Sequence, residues 1–117
     1  MKLSIIEHKD FGTVRVEIVK GEPVFCASDV CLALRLPSPE ASLRKLDDDE
    51  KLMRKIFASG QNRDMWFVTE SGLYTLIICS NKPDARKFRK WVTSEVLPSI
   101  RKYGRYVVPG SIEEDRE

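Results

Sequence analysis

The spacing of apolar residues changes along this chain, and that change is the strongest limit on its fold. Val14, Val16 and Ile18 alternate with polar residues, which is the period-two pattern of a strand with one buried face. From residue 83 to residue 94 the apolar residues recur instead at the spacing of an amphipathic helix. The length, 117 residues, is usual for one domain. We therefore expect an α+β fold, a small antiparallel sheet with hairpins packed against several short helices.

Two hairpins account for most of the predicted strands. A turn at 20–22 joins the strand around Val16 to a short strand at 23–25, and a weakly alternating segment at 3–8 precedes both. The order of these segments predicts consecutive antiparallel strands.

The second predicted hairpin joins residues 51–58 to residues 65–69. Between them, residues 59–64 contain Gly, Asn and Asp, which favour turns. We expect a mobile tip over 59–64. Arg63 on that tip is a candidate phosphate contact, with an ordinary solvated arginine as the alternative.

Residues suited to begin or end helices mark the remaining segments. Side chains that can cap a first turn occur at three positions: Ser28, Ser38 and Thr69. Pro39 is expected to open the second of these helices, and Pro83 opens a fourth. A short helix at 99–103 is expected to follow Pro98 and to end at Gly104, since glycine readily adopts a left-handed C-cap.

The sequence shows no catalytic or metal-binding constellation. The three cysteines, an odd number, form no Cys-x-x-Cys pair, and we interpret two of them as small buried apolar residues: Cys31 and Cys79. His8 has no nearby candidate nucleophile. The acidic run 47–50 lacks the ligand spacing of a calcium loop, so we interpret it as a solvated loop. We expect no enzymatic activity, no cofactor and no bound metal.

Two further absences concern membranes and export. No apolar run approaches the roughly 20 residues that span a bilayer. The N-terminal segment lacks the apolar stretch and cleavage site of a signal peptide. We expect a cytoplasmic protein with no membrane partner.

Charge is distributed unevenly along the chain, although the net value is only +2. Residues 82–105 contain eight basic and two acidic residues, a net charge of +6. Residues 111–117 contain four acidic residues and one arginine, a net charge of −3. Such asymmetry between segments indicates a charged partner more clearly than the total does.

The helix predicted after Pro83 separates charged from apolar residues. One arc of about 100° holds its basic side chains together with Thr93: Lys82, Arg86, Arg89 and Lys90. The opposite side holds its apolar residues: Ala85, Phe88, Trp91 and Val92. Three more basic residues follow in the next predicted helix and just after it: Arg101, Lys102 and Arg105.

A stripe of one sign favours a polyanion as partner. Like charges one helical turn apart, such as Arg86 and Lys90, cost a few tenths of a kcal/mol, and a mixed-sign face would give solubility without that cost. Phosphate neutralisation dominates nonspecific DNA binding. A face that serves only solubility is the alternative.

Four segments, in this order, resemble the Bro-N domain, the N-terminal module of BRO proteins from large DNA viruses and of phage and prophage antirepressors. They are Phe25–Leu34, Thr69–Tyr74, Lys82–Val92 and Glu95–Gly104. The resemblance runs from about Val14 to Tyr106, and it is most specific from Phe88 to Gly104.

The resemblance implies an α+β domain with a small antiparallel sheet, nucleic-acid binding and a role in phage or viral gene control. It supplies no catalytic residues. The recurring positions, most of which we interpret as structural, are Asp29, Ser71, Gly72, Trp91, Leu97, Pro98 and Ile100. We expect the Bro-N-like domain to span 1–108 and residues 109–117 to form an acidic tail or the start of a linker.

The first functional hypothesis is a non-enzymatic, double-stranded DNA-binding domain of a prophage antirepressor, acting in the cytoplasm of a bacterial host. A second is a protein-interaction module that sequesters a phage repressor through the acidic run 47–50 or through an exposed apolar patch. A homodimer would fit the first hypothesis, because many DNA-binding domains pair to contact two half-sites.

Overall fold

The strands form one antiparallel sheet in the order β1-β2-β3-β5-β4. The computed structural model describes residues 3–58, 60–80 and 83–104, and the strand bounds within these ranges are β1 Leu3–His8, β2 Gly12–Val19, β3 Glu22–Cys26, β4 Lys51–Ala58 and β5 Gln61–Thr69. β3 is central because it pairs with β2 on one side and with β5 on the other. The second hairpin is thereby joined to the first.

Helices follow the strands with little intervening chain. Their bounds are α1 Ala27–Ala33, α2 Pro39–Leu43, α3 Glu70–Cys79, α4 Pro83–Trp91 and α5 Leu97–Tyr103, with a short 3-10 helix at Asp48–Glu50 and a π-helical turn at Val92–Val96. The predicted α+β class is confirmed. Among the described helices, none has both the length and the apolar content that a membrane crossing requires.

The alternating residues of β2 lie where their period predicts. Val14 and Val16 are fully buried, and they share a sheet face with Phe25 and Val68. The helices pack on this face, so that Leu73 and other apolar residues of α3, α4 and α5 complete the main core. The first hairpin is confirmed, with Lys20 and Gly21 between its strands.

The second hairpin is longer than predicted. The expected tip over 59–64 is wrong, because Gln61 already begins β5 and Arg63 lies in the ladder opposite Ile56. The four polar residues 61–64 have low strand propensity, but continuous pairing with β4 holds them extended. Gly60, with a φ of +79°, occupies the turn.

Two of the three predicted caps are confirmed. The Ser38 hydroxyl accepts the Ala41 N–H at 3.2 Å, and the Thr69 hydroxyl accepts the Gly72 N–H at 3.2 Å. Ser28 as a cap is wrong: α1 begins at Ala27, directly after the extended end of β3, and no side chain caps it.

The C-terminal helices differ from the prediction of two separate segments. Helical conformation continues from α4 through the π-helical turn into α5. Pro98 has no N–H to donate to the Ser94 carbonyl, and the Leu97 N–H instead reaches back five residues to the Val92 carbonyl. The end at Gly104 is confirmed, with a φ of +78° and its N–H on the Ile100 carbonyl at 2.7 Å.

One cysteine interpretation is wrong. Cys31 is buried, and burial raises the pKa of its thiol, but Cys79 is exposed at the end of α3. The neighbouring Ile78 is exposed as well, whereas Leu76 and Ile77 of the same turn are buried in the main core. Apolar neighbours in the sequence therefore do not by themselves place Cys79 in the core.

The acidic run 47–50 is a structured turn and not a simple loop. The Asp47 side chain caps the 3-10 helix, and the Glu50 carboxylate accepts the Asp47 N–H at 3.0 Å. Glu50 also accepts the Ser71 hydroxyl, and this bond, followed by the Asp47 N–H, lowers the pKa of Glu50. The run thus joins the start of β4 to the start of α3.

Candidate nucleic-acid interface

Aromatic contacts hold α4 against the end of β1 and the turn between β1 and β2. Phe88 meets Phe11 edge to face with 5.2 Å between ring centroids, and the Trp91 ring lies 4.9 Å from that of His8. Ala85 is buried alongside them. The predicted apolar side of this helix is confirmed, and its packing fixes which side remains in solvent.

The solvent side of α4 carries four exposed basic residues: Arg86, Lys87, Arg89 and Lys90. None of the four forms an ion pair within the described ranges. The acidic residue of the first turn, Asp84, lies 3.4 Å from the guanidinium of Arg35. The basic stripe, defined here as Arg86, Arg89 and Lys90, therefore presents charge that no described carboxylate neutralises.

Arg101 is brought close to this stripe but is already paired. Its guanidinium donates to both carboxylate oxygens of Glu70, at 2.9 and 3.1 Å, and Tyr74 donates its hydroxyl to the same carboxylate at 3.1 Å. Burial, together with the bond to Glu70, raises the pKa of Tyr74, while Arg101 and Arg89 act in the opposite direction. Because Glu70 holds Arg101, a phosphate would have to compete for it.

The other candidate residues are dispersed. Lys102 is exposed, with its ammonium 5.2 Å from the centroid of the Tyr103 ring. Arg63 is exposed on β5, where it lines a groove of about 480 Å³ that runs beside α2. Lys82 and Arg105 lie outside the described residues.

A cleft of about 400 Å³ borders the stripe on the side of the turn between β1 and β2. Its lining carries both signs of charge, with Lys87 and Lys90 as cations and Asp10 and Glu95 as carboxylates. His8 lies in this cleft, and its Nδ1 accepts the Asp10 N–H at 3.0 Å. The acidic residues here mark one border of the positively charged surface.

Sequence reasoning missed two ion pairs that fix the sheet. The Asp29 carboxylate binds the Arg15 guanidinium at 2.9 and 3.0 Å and accepts the Arg15 N–H at 2.9 Å, which raises the pKa of Arg15. Glu17, only 1% exposed, is bound by Arg54 at 2.7 and 3.0 Å. Polar residues at alternate positions of β2 were the available signal, but their partners lie 14 and 37 residues away.

Other recurring positions have structural roles, as predicted. Trp91 is buried in the main core, and Gly72 packs so closely that a Cβ on it would lie 2.5 Å from the Glu50 carbonyl oxygen. Pro98 lies in the first turn of α5. Within the described ranges, no three His, Cys, Asp or Glu side chains lie together as metal ligands would.

Comparison with known proteins assigns this chain to a family. The sequence profile of the BRO family, N-terminal domain, matches residues 13–98. No solved structure matches.

The relatives come from a bacterium and from viruses. An uncharacterized protein of Haemophilus influenzae is 35% identical over 91% of this chain and 53% of its own. A putative Bro-N domain-containing protein of Invertebrate iridescent virus 6 is 32% identical over 74% of this chain and 25% of its own. Another, of Invertebrate iridescent virus 3, is 32% identical over 73% of this chain and 27% of its own. The chain thus spans about half the length of the bacterial relative and about a quarter of the viral ones. The chain belongs to the BRO family, whose N-terminal domain it contains at residues 13–98.

Proposed function

We propose that this chain is the DNA-binding domain of a prophage antirepressor-type regulator of phage gene expression. The observation that carries the proposal is the basic stripe: three adjacent cations without a described carboxylate partner, on a helix fixed by buried aromatic residues. The proposed role is non-enzymatic, and the proposed place of action is the cytoplasm of a bacterial host.

The chemistry of the stripe suits phosphates of double-stranded DNA. Arg86, Arg89 and Lys90 succeed one another along one side of α4, so their charges add over one or two turns. Each neutralised phosphate releases counterions, and the logarithm of the binding constant falls with the logarithm of salt concentration by about 0.9 per phosphate. With Lys102 as a fourth contact, we expect a slope of about −3.6.

Charge reversal on the stripe tests the proposal. We expect Arg86→Glu together with Arg89→Glu to abolish duplex binding in a gel shift at low salt, since phosphates would then meet two carboxylates. Arg44→Glu with Lys45→Glu, at two exposed positions after α2, makes the same change in net charge elsewhere. Unchanged binding by the stripe variant, or equal losses in both, would refute the assignment.

A second candidate function is a protein-interaction module that sequesters a phage repressor. Asp48 and Asp49 favour it, because the 3-10 helix presents both carboxylates in solvent, and β4, which follows, carries the exposed Met53. The two functions separate in one measurement: the purified chain binds duplex DNA alone, or it binds only a repressor from the same phage. The mass of the complex in solution, recorded in the same experiment, tests the proposed homodimer.

A further inference from the structure

The second hairpin extends past the rest of the sheet. β3 pairs with β5 only at residues 67–69, whereas β4 pairs with β5 along its whole length, from Lys51 to Ala58. Residues 53–58 and 61–66 therefore form a two-stranded ribbon, which we call the β4–β5 ribbon. In the described ranges, no third strand pairs with it.

The inner face of the ribbon is fixed against the sheet. Ile56 is only 3% exposed and packs in a second apolar cluster with Phe67 and Cys26. Arg54, on the same face, binds the buried Glu17 of β2. These contacts hold the ribbon in one orientation, so its outer face is presented rigidly.

The outer face carries exposed side chains in cross-strand pairs. Phe57 is 70% exposed and lies opposite Asn62, and Lys55 lies opposite Asp64, with 3.1 Å between ammonium and carboxylate. The exposed Met53 and Trp66 form another cross-strand pair on this face, and several large apolar side chains exposed together indicate a binding surface. Arg63, paired opposite Ile56, belongs to the other face of the ribbon and forms no ion pair with any described carboxylate.

These residue types match the chemistry of base edges. Asparagine binds adenine with two hydrogen bonds, and an aromatic ring can pack on the thymine methyl group. We propose that the β4–β5 ribbon enters the major groove and reads bases, Asn62 on adenine and Phe57 on a thymine methyl. This inference rests on the proposed function, and it gives sequence preference to a domain whose basic stripe contacts phosphates.

The dimensions of the ribbon agree with the groove. Two paired strands are about 4.8 Å apart, and six residues of strand are about 20 Å long. The major groove is about 12 Å wide and admits a two-stranded ribbon with its side chains. The ribbon carries three basic residues, Arg54, Lys55 and Arg63, against one acidic residue, Asp64, and this positive balance suits a polyanion. Arg54 is paired with the buried Glu17, and Lys55 is paired with Asp64.

A selection experiment tests the inference on the whole chain. The wild-type chain first selects duplexes from a randomised pool. Its affinity for an enriched duplex is then compared with its affinity for a scrambled duplex of equal length. We expect Asn62→Ala to reduce the ratio of the two affinities about tenfold, because the lost hydrogen bonds discriminate bases. Phe57→Ala is expected to reduce it as well, and Arg86→Ala is expected to weaken both duplexes equally.

The experiment includes a control variant and outcomes that would contradict the inference. Ile78→Ala removes an exposed apolar side chain on α3 and is expected to leave the ratio unchanged, and circular dichroism melting confirms that each variant folds. Binding without any enriched sequence, or an unchanged ratio for Asn62→Ala, overturns the ribbon assignment and leaves the proposed function standing. Absence of all duplex binding overturns both. Loss of self-association in Phe57→Ala with an unchanged ratio assigns the ribbon to a protein contact and overturns base reading.

Discussion

At the scale of single residues, some ion pairs are partly buried and stabilise the fold, whereas others are exposed to solvent. Asp29 receives three hydrogen bonds from Arg15, two from the guanidinium and one from the backbone, and thereby joins the start of α1 to β2. Lys55 and Asp64 make one exposed contact between neighbouring strands. The difference in geometry and exposure predicts a difference in stability.

Replacing Asp29 with alanine tests that difference. We expect Asp29→Ala to lower the free energy of unfolding by about 2 kcal/mol, since hydrogen bonds to charged groups contribute about 1.5–3 kcal/mol and the Arg15 guanidinium would remain partly buried without them. Asp64→Ala, the exposed control, is expected to cost less than about 1 kcal/mol. Urea denaturation measures both, and equal losses would contradict the structural role of Asp29.

At the scale of elements, local sequence specified the strands and helices that depend on local signals. Alternation identified β2, and hydroxyl side chains identified the starts of α2 and α3. Residues 61–64 were missed because their polar side chains are extended only through pairing with β4. The continuity of α4 into α5 was missed because a proline usually indicates a helix start, and here it follows a π-helical turn within a continuing helix.

The candidate site, like the fold, was predictable from the sequence only where local signals determine it. Amphipathic spacing placed Arg86, Arg89 and Lys90 on one exposed side of α4. It gave no sign that Glu70, 31 residues before Arg101, would hold that arginine. Which cations remain unpaired depends on tertiary contacts, and these are not encoded in helical periodicity.

The start of α3 depends on a close contact between elements. A Cβ at Gly72 would lie 2.5 Å from the Glu50 carbonyl oxygen, and that backbone is fixed by the 3-10 helix. We expect Gly72→Ala to destabilise the chain by about 1–3 kcal/mol through overpacking. Thr75→Ala, in the same helix, should change stability far less. Thermal denaturation compares the two variants, and a stabilised Gly72→Ala would show that the helix start can shift without cost.

At the scale of the whole molecule, opposite charges are separated along the chain. A basic region at 82–105 precedes an acidic one at 111–117, while the formal net charge is only +2. The field that an approaching duplex meets is the sum of both regions, and salt screens it over about 10 Å at 0.1 M.

Neutralising the acidic region should therefore strengthen DNA binding. We expect Glu113→Gln, Glu114→Gln and Asp115→Asn together to raise duplex affinity several-fold at low salt, through a faster association rate. The gain should disappear at about 0.5 M salt, where screening is nearly complete. Stopped-flow association at two salt concentrations measures the effect, and a gain that persists at high salt would argue against a long-range cause.

The π-helical turn at Val92–Val96 determines how the side chains of α5 are rotated about the helix axis relative to those of α4. One additional residue in a helical turn rotates everything that follows by about 100° about the axis. The number of residues in this turn therefore determines which side of α5 faces Glu70. A single insertion or deletion between Trp91 and Leu97 would leave the basic stripe in place and carry Arg101 away from its carboxylate. The length of the π-helical turn thus determines which residues of α5 face the sheet, without changing which residues of α4 face solvent.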